Sequence, residues 1–161
     1  MLLQTSRCIL CEIEEKDFDG VEQLYTNEEV RRYLGGIVDS GTIREQFQAI
    51  LTSPTAGTHL VARTKEANEF IGLFSLDLHH NGTSTEVSYQ LLPDWWGKGY
   101  AQECVEAIID FASHHLLLTK LEAETQAANL ASCRLLEKMN FQVSEHVERF
   151  GAKQIIYQLE L

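Results

Sequence analysis

Two glycines flank one lysine, Gly97-Lys98-Gly99, where a strand pattern gives way to a helical one in Leu91-Leu92-Pro93-Asp94-Trp95-Trp96-Gly97-Lys98-Gly99-Tyr100-Ala101. A strand that feeds a short glycine-bearing turn and then a helix aims several unpaired N–H groups at one point. The positive end of the helix points the same way. Phosphate or pyrophosphate is the ligand such a point binds best, and glycine lets the backbone approach it with no Cβ between. Two nucleotide loops can be tested on this string. The Walker loop needs Ser or Thr after its lysine, where this chain has Gly99. The dinucleotide fingerprint needs a third glycine, where this chain has Gln102. Neither fits, and G-x-G alone suits a structural turn equally well.

A second segment lies downstream: Asn129-Leu130-Ala131-Ser132-Cys133-Arg134-Leu135-Leu136-Glu137-Lys138-Met139-Asn140-Phe141. Asn129 is suited to cap the helix that follows. Other chemistry-bearing residues point elsewhere. Cys8 and Cys11 form C-x-x-C, but in a strand residues three apart face opposite ways, and no second Cys/His pair follows at ligand spacing. Free thiols are expected. Cys133 has no histidine at a spacing that would activate it. His79 and His80 are adjacent in a strand-like run, so they diverge, and a solvent-exposed hairpin tip is expected instead of a metal site.

The elements that must hold these residues are coarsely legible. Residues 7–13, 58–64, 70–78, 84–92, 121–126, a run from Phe141 and 154–161 read as strands. His79-His80-Asn81-Gly82 places an Asn-Gly pair between two of them, a hairpin signal. Asp17 is expected to cap a helix through Val21, Leu24 and Tyr25. A short helix carries Val30, Tyr33 and Leu34 up to Gly35-Gly36, and a third begins near Thr42. Ala101, Val105, Ile108, Ile109 and Ala112 give the helix after the glycine turn an apolar stripe, and a last helix runs from Asn129 to Met139. Interleaved helices and hairpins predict an α/β fold, a mixed sheet with helices on both faces.

Together the two segments resemble the GNAT superfamily of acetyl-CoA-dependent N-acetyltransferases, whose pyrophosphate motif is usually [QR]-x-x-G-x-[GA]. The second is similar to the N-x-x-S-x-x-[LV]-[LF]-E-K-x-G-F string of the branch of ribosomal-protein N-terminal (alanine/serine) acetyltransferases. Val30-Arg31-Arg32-Tyr33-Leu34, Phe70-Ile71-Gly72 and Glu86-Val87-Ser88-Tyr89 match in order, so the resemblance covers roughly residues 7 to 161. Asp94, Ser88 and Asn140 depart from it, replacing the usual Gln or Arg, Gly and Gly. An Asn tolerates the left-handed conformation that a helix end asks for.

The resemblance implies a single domain over residues 1–161. Its sheet would be mixed and largely antiparallel, of about six or seven strands, with a splayed parallel strand pair. It implies acetyl-CoA as co-substrate, no metal, and transfer by direct attack of an amine in a ternary complex. Pantetheine would pair with the strand at Leu91 and Leu92. The pyrophosphate would sit on the turn Trp96, Gly97, Lys98, Gly99, Tyr100 and Ala101, with Lys98 itself an exposed loop lysine. Asn129 would hydrogen-bond the pantetheine. Glu86 is the candidate base, provided burial raises its pKa, and a backbone N–H near Leu91 would face the developing oxyanion. Many relatives protonate the leaving thiolate with a tyrosine. The corresponding place here is near Leu136, and Ser132 is the substitute, donating a proton or only positioning. The alternative from another class is a non-catalytic acyl-CoA-binding module with the same fold.

The remaining composition agrees. A chain of 161 residues fits one domain and buries about two thirds of its unfolded surface without a disulfide. A net charge of −11 with scattered basic residues argues against nucleic acid and favours cationic partners. The start of the chain lacks a long apolar core, and glutamates follow at once, so no membrane segment and a cytoplasmic address are expected. The resemblance implies an amine acceptor, of a small molecule or a protein N-terminus. Its specificity is expected around residues 20–40 and 145–154. The two Trp and the last strand could line a homodimer contact or the core.

Overall fold

The structure is a computed structural model that describes residues 2–53, 57–79 and 82–161. Strands β1 (Leu2–Gln4) and β2 (Cys8–Glu12) open the chain and are followed by helices α1 (Phe18–Tyr25), α2 (Glu28–Arg31) and α3 (Ser40–Thr52). Three strands come next, β3 (Thr58–Thr64), β4 (Phe70–Leu78) and β5 (Thr85–Leu91). Helix α4 (Tyr100–His114), β6 (Lys120–Gln126), α5 (Leu130–Lys138), β7 (Gln142–Arg149) and β8 (Ala152–Glu160) complete it. The eight strands form one sheet in the order β1-β2-β3-β4-β5-β6-β8-β7. Leu2–Gln4 is a strand beyond those expected from sequence, and it forms the edge beside β2.

Alternation along the strands decides where the helices pack. Leu60, Ala62, Phe74, Leu76, Val87 and Leu91 face a core closed by the stripe of α4 and by Cys133 and Leu136 of α5. Val61 and Leu73 face the opposite side and meet Val21, Leu24, Ile43 and Phe47 from α1 and α3. Register carries this second face onward. Leu73 pairs with Gln90, Ser75 with Ser88 and Asp77 with Glu86. Over β5 the face therefore turns from apolar to polar, and Glu122 and Glu124 continue it on β6.

Every strand pairing is antiparallel except β5 with β6, which are parallel and register only at Glu86 and Glu122. Beyond that point the two strands separate toward their C-terminal ends, the splay expected from the family resemblance. Hydrogen bonds at both ends of the β4–β5 pair settle which peptides face the opening. His79 N–H donates to Ser84 C=O and Leu92 N–H to Ile71 C=O. Even-numbered residues of β5 thus direct their peptides to β4, and Val87, Tyr89 and Leu91 direct theirs to the splay.

Two local expectations need correction. Asp17 precedes α1 but gives it no side-chain cap. Its buried carboxylate instead takes Arg63 Nη2 at 2.6 Å and Glu14 N–H at 2.8 Å, so an ion pair outcompetes the cap. His79 is not at an exposed tip: its side chain is wholly buried. His80 and Asn81, the rest of the expected hairpin turn, lie outside the described residues. The expected C-terminal cap holds, since Asn140 ends α5 with φ +71°.

Candidate active site

After β5 the chain makes a 3₁₀ turn at Pro93–Trp95 and reaches α4 through Gly97 and Gly99, at φ +70° and +85°. These left-handed values explain the two glycines. Nothing lies within 4 Å of a Cβ built on Gly97, so that face of the turn is open. The first hydrogen bond at the start of α4 runs from Glu103 N–H to Gly99 C=O, which leaves the N–H groups of Tyr100, Ala101 and Gln102 ahead of it. The turn is held from behind. Arg7 donates from Nη2 to Lys98 C=O at 3.0 Å, from Nε to Glu103 at 2.8 Å, and stacks over the Tyr100 ring. Lys98 is exposed, and its ammonium folds back to Asp94 C=O at 2.7 Å.

Of the two leucines, only Leu91 presents its peptide to the splay; Leu92 N–H is committed to β4 and its side chain packs with the α1–α3 core. Leu91 C=O accepts the indole N–H of Trp96 at 2.8 Å. That bond ties the turn to the strand edge.

On the α4–α5 side of the splay, the Tyr89 hydroxyl and Ser132 Oγ are 3.0 Å apart. Burial pushes the Tyr89 hydroxyl up to about 12 against the opposing pull of Ser132, so it stays a neutral donor at working pH. Asn129 Oδ1 accepts Ser132 N–H at 3.3 Å and caps α5, which joins the two residues of the sequence motif. Leu136, near which the family resemblance would put a tyrosine, is buried in the core. Sequence reading missed Tyr89. Its odd-numbered alternation with Val87 and Leu91 was visible, but not the helix that meets its hydroxyl.

On the other side, Glu86 sits where the strands part. Its Oε2 accepts Glu124 N–H at 3.1 Å, a backbone donor left without a strand partner just past the last β5–β6 register. Burial raises the Glu86 carboxyl above its ordinary range. His79 and the Glu124 N–H pull it down, and the charges of Glu124 and Glu122 push it up. Beside it lies a buried network. His79 Nε2 is 2.7 Å from Glu124 Oε1, and His79 Nδ1 is 3.5 Å from Glu122 Oε2. Ser84 donates to Glu122 at 3.0 Å. Arg149 Nε lies 3.0 Å from Glu124 Oε2, an ion pair whose N–H points off the hydrogen-bond line. Gln90 Oε1, on this same face, is shielded and has no hydrogen-bond partner among the described residues.

Glu86 and Ser132 therefore flank the splay from opposite faces, with Leu91 and the 97–101 turn along its β5 edge. The four cysteines are free thiols, and Cys133 is buried beside Ser132. Among the described residues no cluster of three or more His, Cys, Asp or Glu is arranged to hold a metal ion, and no helix is long and apolar enough to cross a membrane.

Comparison with known proteins gives this architecture its family. The acetyltransferase (GNAT) domain family matches residues 7–142. A Bacillus licheniformis protein named uncharacterized N-acetyltransferase p20 is 32% identical over 146 residues, covering 87% of this chain and 82% of its own. The fold superposes on spermidine N-acetyltransferase from Vibrio cholerae in complex with CoA and spermine. There the TM-score is 0.84 at 20% identity, with 96% of each chain covered. It also superposes on a Salmonella typhimurium acetyl transferase that modifies the N-terminal serine of 50S ribosomal subunit protein L7/L12. The TM-score is 0.83 at 13% identity, covering 100% of this chain and 99% of that one. With a mixed sheet, one splayed parallel pair and a family match over most of its length, the chain belongs to the GNAT acetyltransferase family.

Proposed function

We propose that residues 1–161 act as one cytoplasmic acetyltransferase domain that moves the acetyl group of acetyl-CoA to a primary amine. The observation that carries this reading is a carboxylate above its ordinary pKa range, set at the opening of the β5–β6 splay. The residues present fit the co-substrate. An open glycine turn ahead of α4 suits a pyrophosphate, and the N–H groups of Tyr89 and Leu91, turned to the splay, suit the amides of a pantetheine arm. Acetyl-CoA supplies an activated thioester; the rest is done by this chain.

The amine arrives mostly as ammonium, and Glu86 takes its first proton, which needs a carboxylate titrating closer to neutrality than usual. The nitrogen lone pair then forms the N–C bond. Leu91 N–H faces the thioester oxygen as negative charge gathers there, a donor fixed in advance by the strand. The C–S bond breaks with its electron pair going to sulfur. Ser132, with Tyr89 donating to its hydroxyl, directs an O–H toward the departing thiolate. Of the two protons the ammonium sheds, one ends on sulfur and one in water. The acceptor enters over the polar face of β5 and β6, where Glu86 stands at the opening and Gln90 Oε1, shielded and without a hydrogen-bond partner among the described residues, can take an N–H; the net charge of −11 favours a cation. Polyamines, small-molecule amines and protein N-termini all meet that description.

The test is calorimetric titration of acetyl-CoA into the wild type and Gly99→Asp, followed by thiol release with a panel of spermidine, small amines and Ser- or Ala-initiated peptides. Micromolar binding lost in the variant, with release on at least one amine, supports the reading. No binding to the wild type sinks it. Binding without transfer to any amine makes the chain an acyl-CoA-binding module.

A further inference from the structure

The buried histidine at the end of β4 has no part in the mechanism above, yet it is tied to the candidate base through Glu124. We propose that His79 is a positioning residue for Glu86. As an imidazolium clamped between Glu122 and Glu124, it offsets the carboxylates crowded around Glu86 and keeps that residue available as a base. The inference rests on the reading of Glu86 as the proton acceptor.

The geometry asks for the cation. His79 Nε2 and Nδ1 each face a carboxylate oxygen, at 2.7 and 3.5 Å. Nε2 makes a hydrogen bond to Glu124, and Nδ1 stands at ion-pair distance from Glu122; a charged ring attracts both carboxylates, whereas a lone pair on Nδ1 would face an anion. The side chain has no exposed surface, so water does not screen the pair. Around Glu86 stand Asp77 across on β4, Glu122 and Glu124 on β6 and His79 at the end of β4. Arg149 of β7 and Lys120, 3.9 Å from Glu122, act on it through those glutamates. Among the described residues these four carboxylates meet Arg149 and Lys120 as permanent cations, and a charged His79 adds a third.

The link is also mechanical. Glu124 gives its N–H to Glu86 Oε2 while its own carboxylate is held by His79 and Arg149. Whatever fixes the Glu124 side chain therefore fixes the backbone donor that aims Glu86 into the splay. Burial is the main cause of the raised Glu86 carboxyl, and the His79 charge is the strongest influence opposing it. Removing that charge must drive Glu86 further up.

The experiment is the pH profile of kcat/KM for wild type, His79→Gln and Glu86→Gln, with acetyl-CoA and the best amine of the panel. His79→Gln should move the acid limb to higher pH. That is a loss of about tenfold at the acid end, recovered at alkaline pH, with the KM for acetyl-CoA unchanged. A uniform loss at every pH, or no change, overturns the proposal. Wild-type rates in Glu86→Gln would instead overturn the base assignment itself, a separate failure. If His79→Gln does not fold, ¹⁵N imidazole spectra of the wild type decide. Two protonated ring nitrogens at neutral pH support the clamp, and a single neutral tautomer removes it.

Discussion

On one side of β5, Val87, Tyr89 and Leu91 point into the α4–α5 core, the N–H groups of Tyr89 and Leu91 open on the splay, and the Tyr89 hydroxyl meets Ser132. On the other side, Glu86, Ser88 and Gln90 stand among Ser75, Asp77, Glu122 and Glu124, beside a buried histidine. The same strand thus makes a nonpolar, peptide-lined wall and an acidic one. Strand alternation makes this division without further instruction. It places the neutral donor and the raised carboxylate on opposite sides of one gap, where neither perturbs the other through a shared hydrogen bond. In the proposed function, period two alone then separates a cofactor side from an acceptor side.

Breaking each side should leave different marks. The largest effect belongs to Glu86→Gln on the acidic side. Loss of a general base should lower kcat by about 10²-fold or more while acetyl-CoA binding stays as it was. The same variant should melt higher at neutral and alkaline pH. A carboxyl whose folded pKa is raised costs stability once pH exceeds its unfolded value, and that cost is absent below it. The gain in melting temperature should therefore vanish as pH falls, which scanning calorimetry at several pH values would check. Next is the turn that serves both sides. Gly99→Asp forces a side chain into φ +85°, 3.3 Å from Arg7 Nη2 on the back of the turn, and so distorts the backbone that presents the free N–H groups. Acetyl-CoA affinity should fall by at least about tenfold in calorimetry, the result of backbone strain at the turn.

How much of this was readable in advance follows from sequence distance. The glycine turn and the Asn129–Ser132 cap are each contained within a few residues, and both take the predicted shape. The mixed, largely antiparallel sheet with one splayed parallel pair was legible by resemblance, but as six or seven strands; the eighth, β1, is three residues long and was not. His79 went astray for a physical reason. Alternation and a following Asn-Gly pair suggest an exposed tip, but what buries this imidazole are two glutamates more than forty residues downstream. Nothing local announces an ion pair of that span. Asp17 taught the same lesson, choosing Arg63 of β3 over the helix start beside it.

Ser132→Ala and Tyr89→Phe sharpen the nonpolar side. Each removes one partner of a single 3.0 Å bond, and a neutral hydrogen bond contributes about 1 kcal/mol net, so kcat should fall about five- to tenfold in each. The double variant should cost little more than either alone, because the two hydroxyls act as one relay. Independent, multiplying losses would mean that Tyr89 acts without Ser132.

The smallest effect should come from Gln90, the residue next to Leu91 on the acidic side. Its Oε1 is shielded and has no hydrogen-bond partner among the described residues, so a bound acceptor N–H would satisfy it, and Gln90→Leu would leave that N–H unpaired instead. The KM for the amine should rise by about three- to tenfold, with kcat and acetyl-CoA affinity held. Gln90 and Leu91 are consecutive, and their peptides face opposite neighbours. A variant at Gln90 that weakened acetyl-CoA and spared the amine would show that the two sides of β5 are not divided as alternation requires.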